Sequence, residues 1–105
     1  MKRGLSEICY GFFSTLANPT RLAILEELLD DEMNVSDIAR SLKQEQSMIS
    51  HNLNALEYCA LVTSERRGKE KVYSANREIV EGIFRVVERH ATQNCRFHGT
   101  CPRSQ

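Results

Sequence analysis

The sequence lacks three features, and each absence excludes a class of protein. No apolar run approaches the ~20 residues of a membrane-spanning helix, and the opening segment MKRGLSEICY has no long apolar stretch of the secretory kind. Fourteen basic residues are balanced by fourteen acidic ones, so the net charge is zero. We therefore expect a cytoplasmic protein without membrane association, in which only a local basic patch could attract a polyanion.

Positive charge is also missing locally, from the one stretch where it would matter most. No Lys or Arg lies between Gln44 and Glu65, although this stretch contains MISHNLNALEYCALV. Its apolar spacing and its Ser, His and Asn side chains are typical of a helix that lies in a DNA groove. Positive charge begins directly after this stretch. Four cations lie within six residues, namely Arg66, Arg67, Lys69 and Lys71.

Apolar periodicity and asparagine caps predict five helices. The first shows an apolar stripe over residues 5–16, and the second runs from Pro19 to about Asp30. Asn18, Asn34 and Asn76 are the expected N-caps of the second, third and last helices. The last helix is expected to continue through residue 91.

Two apolar side chains are assigned to the inner faces of these helices. Leu22 is expected on the buried face of helix two, and Met48 on that of helix four, which is predicted over residues 46–58.

After the fourth helix the period changes to two, which predicts a β-hairpin around Gly68 with a loop of about four residues. A helix-turn-helix followed by a basic hairpin is a winged helix-turn-helix, so the fold class is mainly α with a small hairpin. The wide apolar faces of the first and last helices predict that two copies pair through them as a homodimer. We expect a DNA-binding and dimerisation domain over residues 1–94 and a Cys/His-containing tail over residues 95–105.

The polar face of the fourth helix and the cations around it are the predicted contacts to double-stranded DNA. Gln and Asn can pair with adenine edges, Ser and His can contact bases or phosphates, and the hairpin cations can follow the backbone. Arg21 is a further candidate for a backbone contact. The predicted contacts are Arg40, Lys43, Gln46, Ser47, Ser50, His51, Asn54, Arg66, Arg67, Lys69 and Lys71.

The segments LANPTRLAILEELL, NVSDIARSLKQEQSMISHNLNALEYCALV and RRGKEKVY resemble the ArsR/SmtB family of small dimeric bacterial and archaeal repressors, over about residues 5–94. The resemblance implies a winged-helix homodimer that binds a palindromic operator and releases it on a metal, metalloid or thiol-reactive signal. Gln46, Ser47, Ser50 and His51 match the family's recognition-helix contacts. Two departures are visible: Ala60 stands where Gly is usual, and Lys43 and Glu45 replace the customary Gly and Ser.

Two of the family's known sensor sites are missing from this sequence. The Cys-x-Cys pair of the third helix corresponds here to NVSDIA, which contains no cysteine. The zinc-type site between the paired last helices would fall on Arg77, Ile79, His90 and Gln93, of which only His90 could ligate a metal.

The remaining sensor candidates lie in the tail and leave three interpretations open. Cys95, His98 and Cys101, with His90 or Cys9 as fourth donor, could bind zinc or another thiophilic metal ion. Alternatively Cys95 and Cys101 form a redox-active thiol pair, or the tail has no sensing role. Cys59 is either a partner of these thiols or a small buried side chain.

We therefore expect a sequence-specific DNA-binding transcriptional regulator, a repressor that responds to a metal ion or to thiol oxidation. The alternative is a winged helix that binds another protein and no DNA. An enzyme is not expected, because no nucleophile is spaced with a base and no glycine-rich loop could hold a phosphate.

Overall fold

The computed structural model describes residues 10–97, and within them the chain folds into five α-helices and three strands. The helices are α1 (Tyr10–Leu16), α2 (Pro19–Asp30), α3 (Val35–Leu42), α4 (Gln46–Tyr58) and α5 (Arg77–Arg89), and the strands are β1 (Met33–Asn34), β2 (Val62–Arg67) and β3 (Glu70–Ala75). The part of the first predicted helix before Tyr10 lies outside the described residues. None of the helices in this part of the chain has the length and apolarity needed to cross a bilayer.

All three predicted asparagine N-caps stand directly before their helices, and two of them make the capping hydrogen bond. Asn18 and Asn34 each accept a hydrogen bond from the backbone N–H three residues later, at 3.1 and 2.8 Å, and so begin α2 and α3. Asn76 is the N-cap residue of α5, as predicted, but its side chain makes no capping bond there and instead donates to the carbonyl oxygen of Ala60 at 2.9 Å. Asn76 therefore fastens the start of α5 to the end of α4.

The three strands form an antiparallel sheet in the order β1-β3-β2, with β3 in the centre. Arg67 pairs with Glu70, so a turn of only two residues, Gly68 and Lys69, joins β2 to β3, and the expected loop of about four residues was wrong. Gly68 has φ 64°, a left-handed conformation that glycine adopts without steric penalty. β1 was not predicted, because two residues are too few to show a period.

The last helix ends earlier than its apolar stripe predicts. α5 stops at Arg89, and residues His90–Asn94 form one π-helical turn. The backbone N–H of Cys95 donates to the carbonyl oxygen of His90 at 2.8 Å and closes this turn. Residues 95–97, which follow this turn, are not helical.

The core is filled by apolar side chains from α2 to α5 and from the hairpin. Burial of this apolar surface provides most of the favourable free energy of folding. The fully buried large side chains are Ile24, Leu25, Leu28, Ile38, Ile49, Leu53, Leu56, Leu61, Val62 and Val80.

An apolar groove of about 700 Å³ runs between α1, α2 and α5 and remains open in the single chain. Leu22 lines this groove and is 36% exposed, so its predicted burial was wrong for one copy of the chain. Met48 was also misplaced, since 46% of it is exposed on α4. The other large apolar side chains lining the groove are Phe12, Phe13, Leu16, Ile83, Phe84 and Val87.

Candidate nucleic-acid interface

Residues 43–45 form the tight turn between α3 and α4. Lys43 has φ 57°, and the backbone N–H groups of Lys43 and Gln44 donate back to Arg40 and Ala39 at 3.4 and 3.0 Å. This is the Schellman arrangement, which ends a helix and turns the chain sharply. α4 then begins after Glu45, whose side chain makes no capping bond.

α4 has one buried face and one exposed polar face. Ile49, Leu53 and Leu56 are fully buried and hold the helix against the core. The five predicted base contacts lie away from that face, and Ser50 alone among them is half-buried. The exposed members are Gln46, Ser47, His51 and Asn54.

Asn52, which the sequence reasoning passed over, is buried with 6% exposure. Its Oδ1 accepts a hydrogen bond from Arg21 Nε at 2.9 Å, and its Nδ2 donates to the carbonyl oxygen of Met48 at 3.0 Å. Arg21 is half-buried, and its guanidinium is thus already engaged by Asn52. A signal was present in the sequence, because position 52 is a polar residue in the apolar stripe of α4.

The hairpin, or wing, divides its cations between two faces. Directly opposite residues in an antiparallel pair share a face, so Arg66 and Lys71 lie side by side. Ser64 is on the same face and donates to Glu57 Oε2 of α4 at 2.6 Å, while Lys71 Nζ lies 3.9 Å from Glu57 Oε1. The Arg66 and Lys71 face is therefore the one turned toward α4.

Arg67 lies on the other face of the wing and is bound by two carboxylates. Its guanidinium donates to both oxygens of Glu32 at 2.7 and 3.0 Å and to Glu65 at 2.9 Å. The hydrogen bond from Arg67 lowers the pKa of Glu32 and outweighs desolvation, which acts in the opposite direction. The same bond raises the pKa of Arg67. A phosphate would have to compete with two carboxylates for this side chain.

The remaining cations differ in their partners. Arg40 is largely exposed and forms an ion pair of 3.1 Å with Asp37. Lys43, Arg66 and Lys69 have no acidic partner between residues 10 and 97.

The sensing candidates are only partly within the described structure. Cys59 is half-buried against the core, with its Sγ 3.4 Å from Thr15 Oγ1. His90 is exposed and Cys95 is half-buried. Cys9, His98 and Cys101 lie outside the described residues. No three His, Cys, Asp or Glu side chains are grouped to bind a metal ion in the part of the chain that the structure describes.

Comparison with known proteins gives consistent relatives in sequence and in structure. The chain is 35% identical over 83 residues to the transcriptional repressor SmtB homolog of Synechocystis sp., covering 79% of this chain and 63% of that protein. It spans between 49% and 65% of the length of the first curated relatives that it matches.

Two solved structures share the fold. The crystal structure of NolR from Sinorhizobium fredii has a TM-score of 0.74 and 35% identity, covering 79% of this chain and 83% of that one. A homodimeric winged helix-turn-helix DNA-binding domain from Mycobacterium bovis, solved by NMR, has a TM-score of 0.70 and 33% identity, covering 77% and 75%.

The model of the bacterial regulatory protein arsR family matches residues 18–64, which span α2, the helix-turn-helix and the start of the wing. This family consists of regulators and not of enzymes, in agreement with the sequence analysis. The chain therefore belongs to the arsR family of bacterial regulatory proteins, as its sequence motifs predicted.

Proposed function

We propose that the protein is a homodimeric, sequence-specific transcriptional repressor that places α4 in the major groove of DNA and its wing along the phosphate backbone. One observation supports this most strongly: an uncharged, exposed face of α4 adjoins a wing face on which Arg66 and Lys71 lie directly opposite each other.

The exposed face of α4 is suited to reading base edges. Ser47, His51 and Asn54 are spaced i, i+4, i+7, so their side chains line one side of the helix. Asn can bond an adenine edge bidentately, and Gln46 at the helix start has the same capacity. The amides and hydroxyls of this face carry no charge of their own, so they add hydrogen bonding without a general attraction to DNA.

The wing would provide the electrostatic contacts. Like charges directly opposite each other in a sheet destabilise it, and Glu57 offsets only the charge of Lys71. A phosphate beside Arg66 would relieve the remaining repulsion. Lys69 at the turn extends the same positive surface. Each neutralised phosphate contributes roughly 0.9 to the slope of log affinity against log salt.

The apolar groove supports pairing of two copies. An exposed apolar patch of this extent marks an interaction surface, and a second copy would cover it with its own α1 and α5. The homodimeric relative from Mycobacterium bovis agrees with this arrangement. A twofold dimer that presents its two α4 helices about 34 Å apart requires a palindromic operator.

The experiment is a salt titration of binding to a labelled 30-base-pair duplex, using wild type and three single variants. We expect Arg66→Ala and Lys69→Ala each to reduce the salt slope by about one unit. Arg67→Ala is the matched control and should reduce it by less, since Glu32 and Glu65 already neutralise that guanidinium. No detectable binding at low salt would overturn the proposal and favour the protein-interaction alternative.

We further propose that a thiophilic metal ion such as zinc, or oxidation of thiols, regulates binding through the tail. The described residues provide only His90 and Cys95 near one another in sequence, which is fewer than the four ligands of a tetrahedral zinc site. The other donors would have to be Cys9, His98 and Cys101. If Cys95→Ser and Cys101→Ser leave metal content, thiol oxidation and operator release unchanged, neither form of sensing operates.

A further inference from the structure

We propose that Arg21 and Asn52 are positioning residues that set the placement of the recognition helix α4 against the corner between α1 and α2. This inference rests on the proposed DNA-binding function and adds to it the contact that determines how α4 meets the operator. Asn52 is the one buried polar side chain between residues 10 and 97, and its partner comes from a helix 31 residues away in sequence.

The hydrogen bonds of Asn52 allow only one arrangement. Its Nδ2 donates to Met48 in its own helix, and its Oδ1 accepts from Arg21 Nε in α2. A flipped amide would set two donors against each other, because a guanidinium has no acceptor. The apolar contacts of Ile49, Leu53 and Leu56 are not directional, whereas this charge-assisted bond fixes both the rotation and the height of α4.

Arg21 also connects α4 to α1. Its Nη1 donates to the carbonyl oxygen of Thr15 at 3.4 Å, and Thr15 Oγ1 lies 3.4 Å from Cys59 Sγ at the end of α4. Two points of α4, residues 52 and 59, thus contact the corner between α1 and α2.

The same corner forms part of the apolar groove on its other side. Leu16 and Leu22, the sequence neighbours of Thr15 and Arg21, line the groove. The two helical turns that face the groove therefore also hold the recognition helix. A change in packing at the groove would shift α4 through these bonds, and with it the separation of the two recognition helices in a dimer.

The test compares specific with non-specific DNA affinity at fixed salt. The specific probe is a duplex selected by the wild-type protein from a random 30-base-pair pool, and the non-specific probe is the same duplex with its sequence shuffled. The variants are Asn52→Leu, Arg21→Lys and the double variant. A cooperative thermal unfolding transition would be required of each variant as evidence that it is folded.

We expect Asn52→Leu and Arg21→Lys each to lower affinity for the selected duplex about tenfold, as for loss of one hydrogen bond to a charged group. Affinity for the shuffled duplex should change less than about twofold, because phosphate contacts dominate there. The double variant should lose no more than the larger single loss. Arg21→Lys retains the positive charge, so a phosphate contact by Arg21 would not produce this pattern.

Equal losses on both duplexes, multiplied losses in the double variant, or a wild-type ratio in both single variants would overturn the positioning role while leaving DNA binding intact. If Asn52→Leu does not fold, Arg21→Lys alone decides by the same ratio. A wild-type protein that selects no duplex would overturn the proposed function, and the positioning role with it.

Discussion

Ala60→Gly is expected to stabilise the protein, although it removes a side chain. Ala60 follows α4 with φ 59°, and the N–H groups of Ala60 and Leu61 donate to Glu57 and Leu56 at 3.0 and 2.9 Å. These two bonds define a Schellman motif, and the full burial of both Leu56 and Leu61 completes it. The backbone at position 60 is thus held in the left-handed region from both sides.

The size of the effect follows from two opposing contributions. An L-residue in the left-handed region costs about 1–2 kcal/mol relative to glycine. The substitution also lowers the free energy of unfolding by about 0.5–1 kcal/mol, because glycine gives the unfolded chain more conformational freedom. The methyl group of Ala60 is exposed, so no buried surface is lost. The net expectation is a gain of about 0.5–1 kcal/mol in the free energy of unfolding.

Thermal unfolding of wild type, Ala60→Gly and Ala55→Gly at equal protein concentration would measure this. For a domain of this size the gain corresponds to a rise in Tm of about 3–6 °C. Ala55→Gly is the matched control, since it lies within α4 and should lose about 1 kcal/mol. If Ala60→Gly is destabilised as Ala55→Gly is, the left-handed residue imposes no strain and the reasoning fails.

Three further predictions concern the interface. Lys43→Gly should raise the free energy of unfolding, because Lys43 also has a left-handed backbone, and should bind DNA more weakly and with a smaller salt slope. Both quantities would be measured on the same protein preparation, and a lower free energy of unfolding would contradict the prediction. Glu45→Ser should stabilise α4 by about 1 kcal/mol relative to Glu45→Ala, because of these two residues only serine can cap the helix. Both variants lack the negative charge of Glu45, so both should bind DNA more tightly than wild type in the salt titration. Because its pKa is lowered below 4.5, Glu32 contributes stability above that pH and loses it as pH falls through the lowered value. Glu32→Gln should therefore show a shallower acid loss of unfolding free energy in urea titrations than wild type, and parallel curves would refute this.

The helix-turn-helix was predictable because its determinants are local. Asn18 and Asn34 cap helices within four residues of sequence, and the apolar stripe of α4 gives its buried face directly. Asn76 shows the limit of that reasoning, because its acceptor is Ala60, sixteen residues away. A cap preference indicates where a helix starts, but a distant carbonyl can still take the side chain.

The parts of the candidate site that sequence reasoning missed depend on long-range pairing. The cluster at the wing tip looked like four equivalent cations, but strand register puts Arg66 with Lys71 and sends Arg67 to Glu32, 35 residues away. Likewise, Asn52 stands as a polar residue in the apolar stripe of α4, but its partner Arg21 lies 31 residues away and meets it only when α2 and α4 pack together. The DNA contacts and the sensing role of the tail remain predictions.

The central position of β3 has a consequence for how the operator must behave. The wing is joined to the body through β1, which pairs with β3 at Met33–Tyr73 and Asn34–Val72, so its base cannot swing without breaking these backbone hydrogen bonds. A recognition helix and a wing that are held at a fixed separation cannot adjust to a stiff duplex of the wrong curvature. We expect the nucleic acid to supply the adjustment, so that easily deformed pyrimidine–purine steps between the contacted bases would favour binding without being touched.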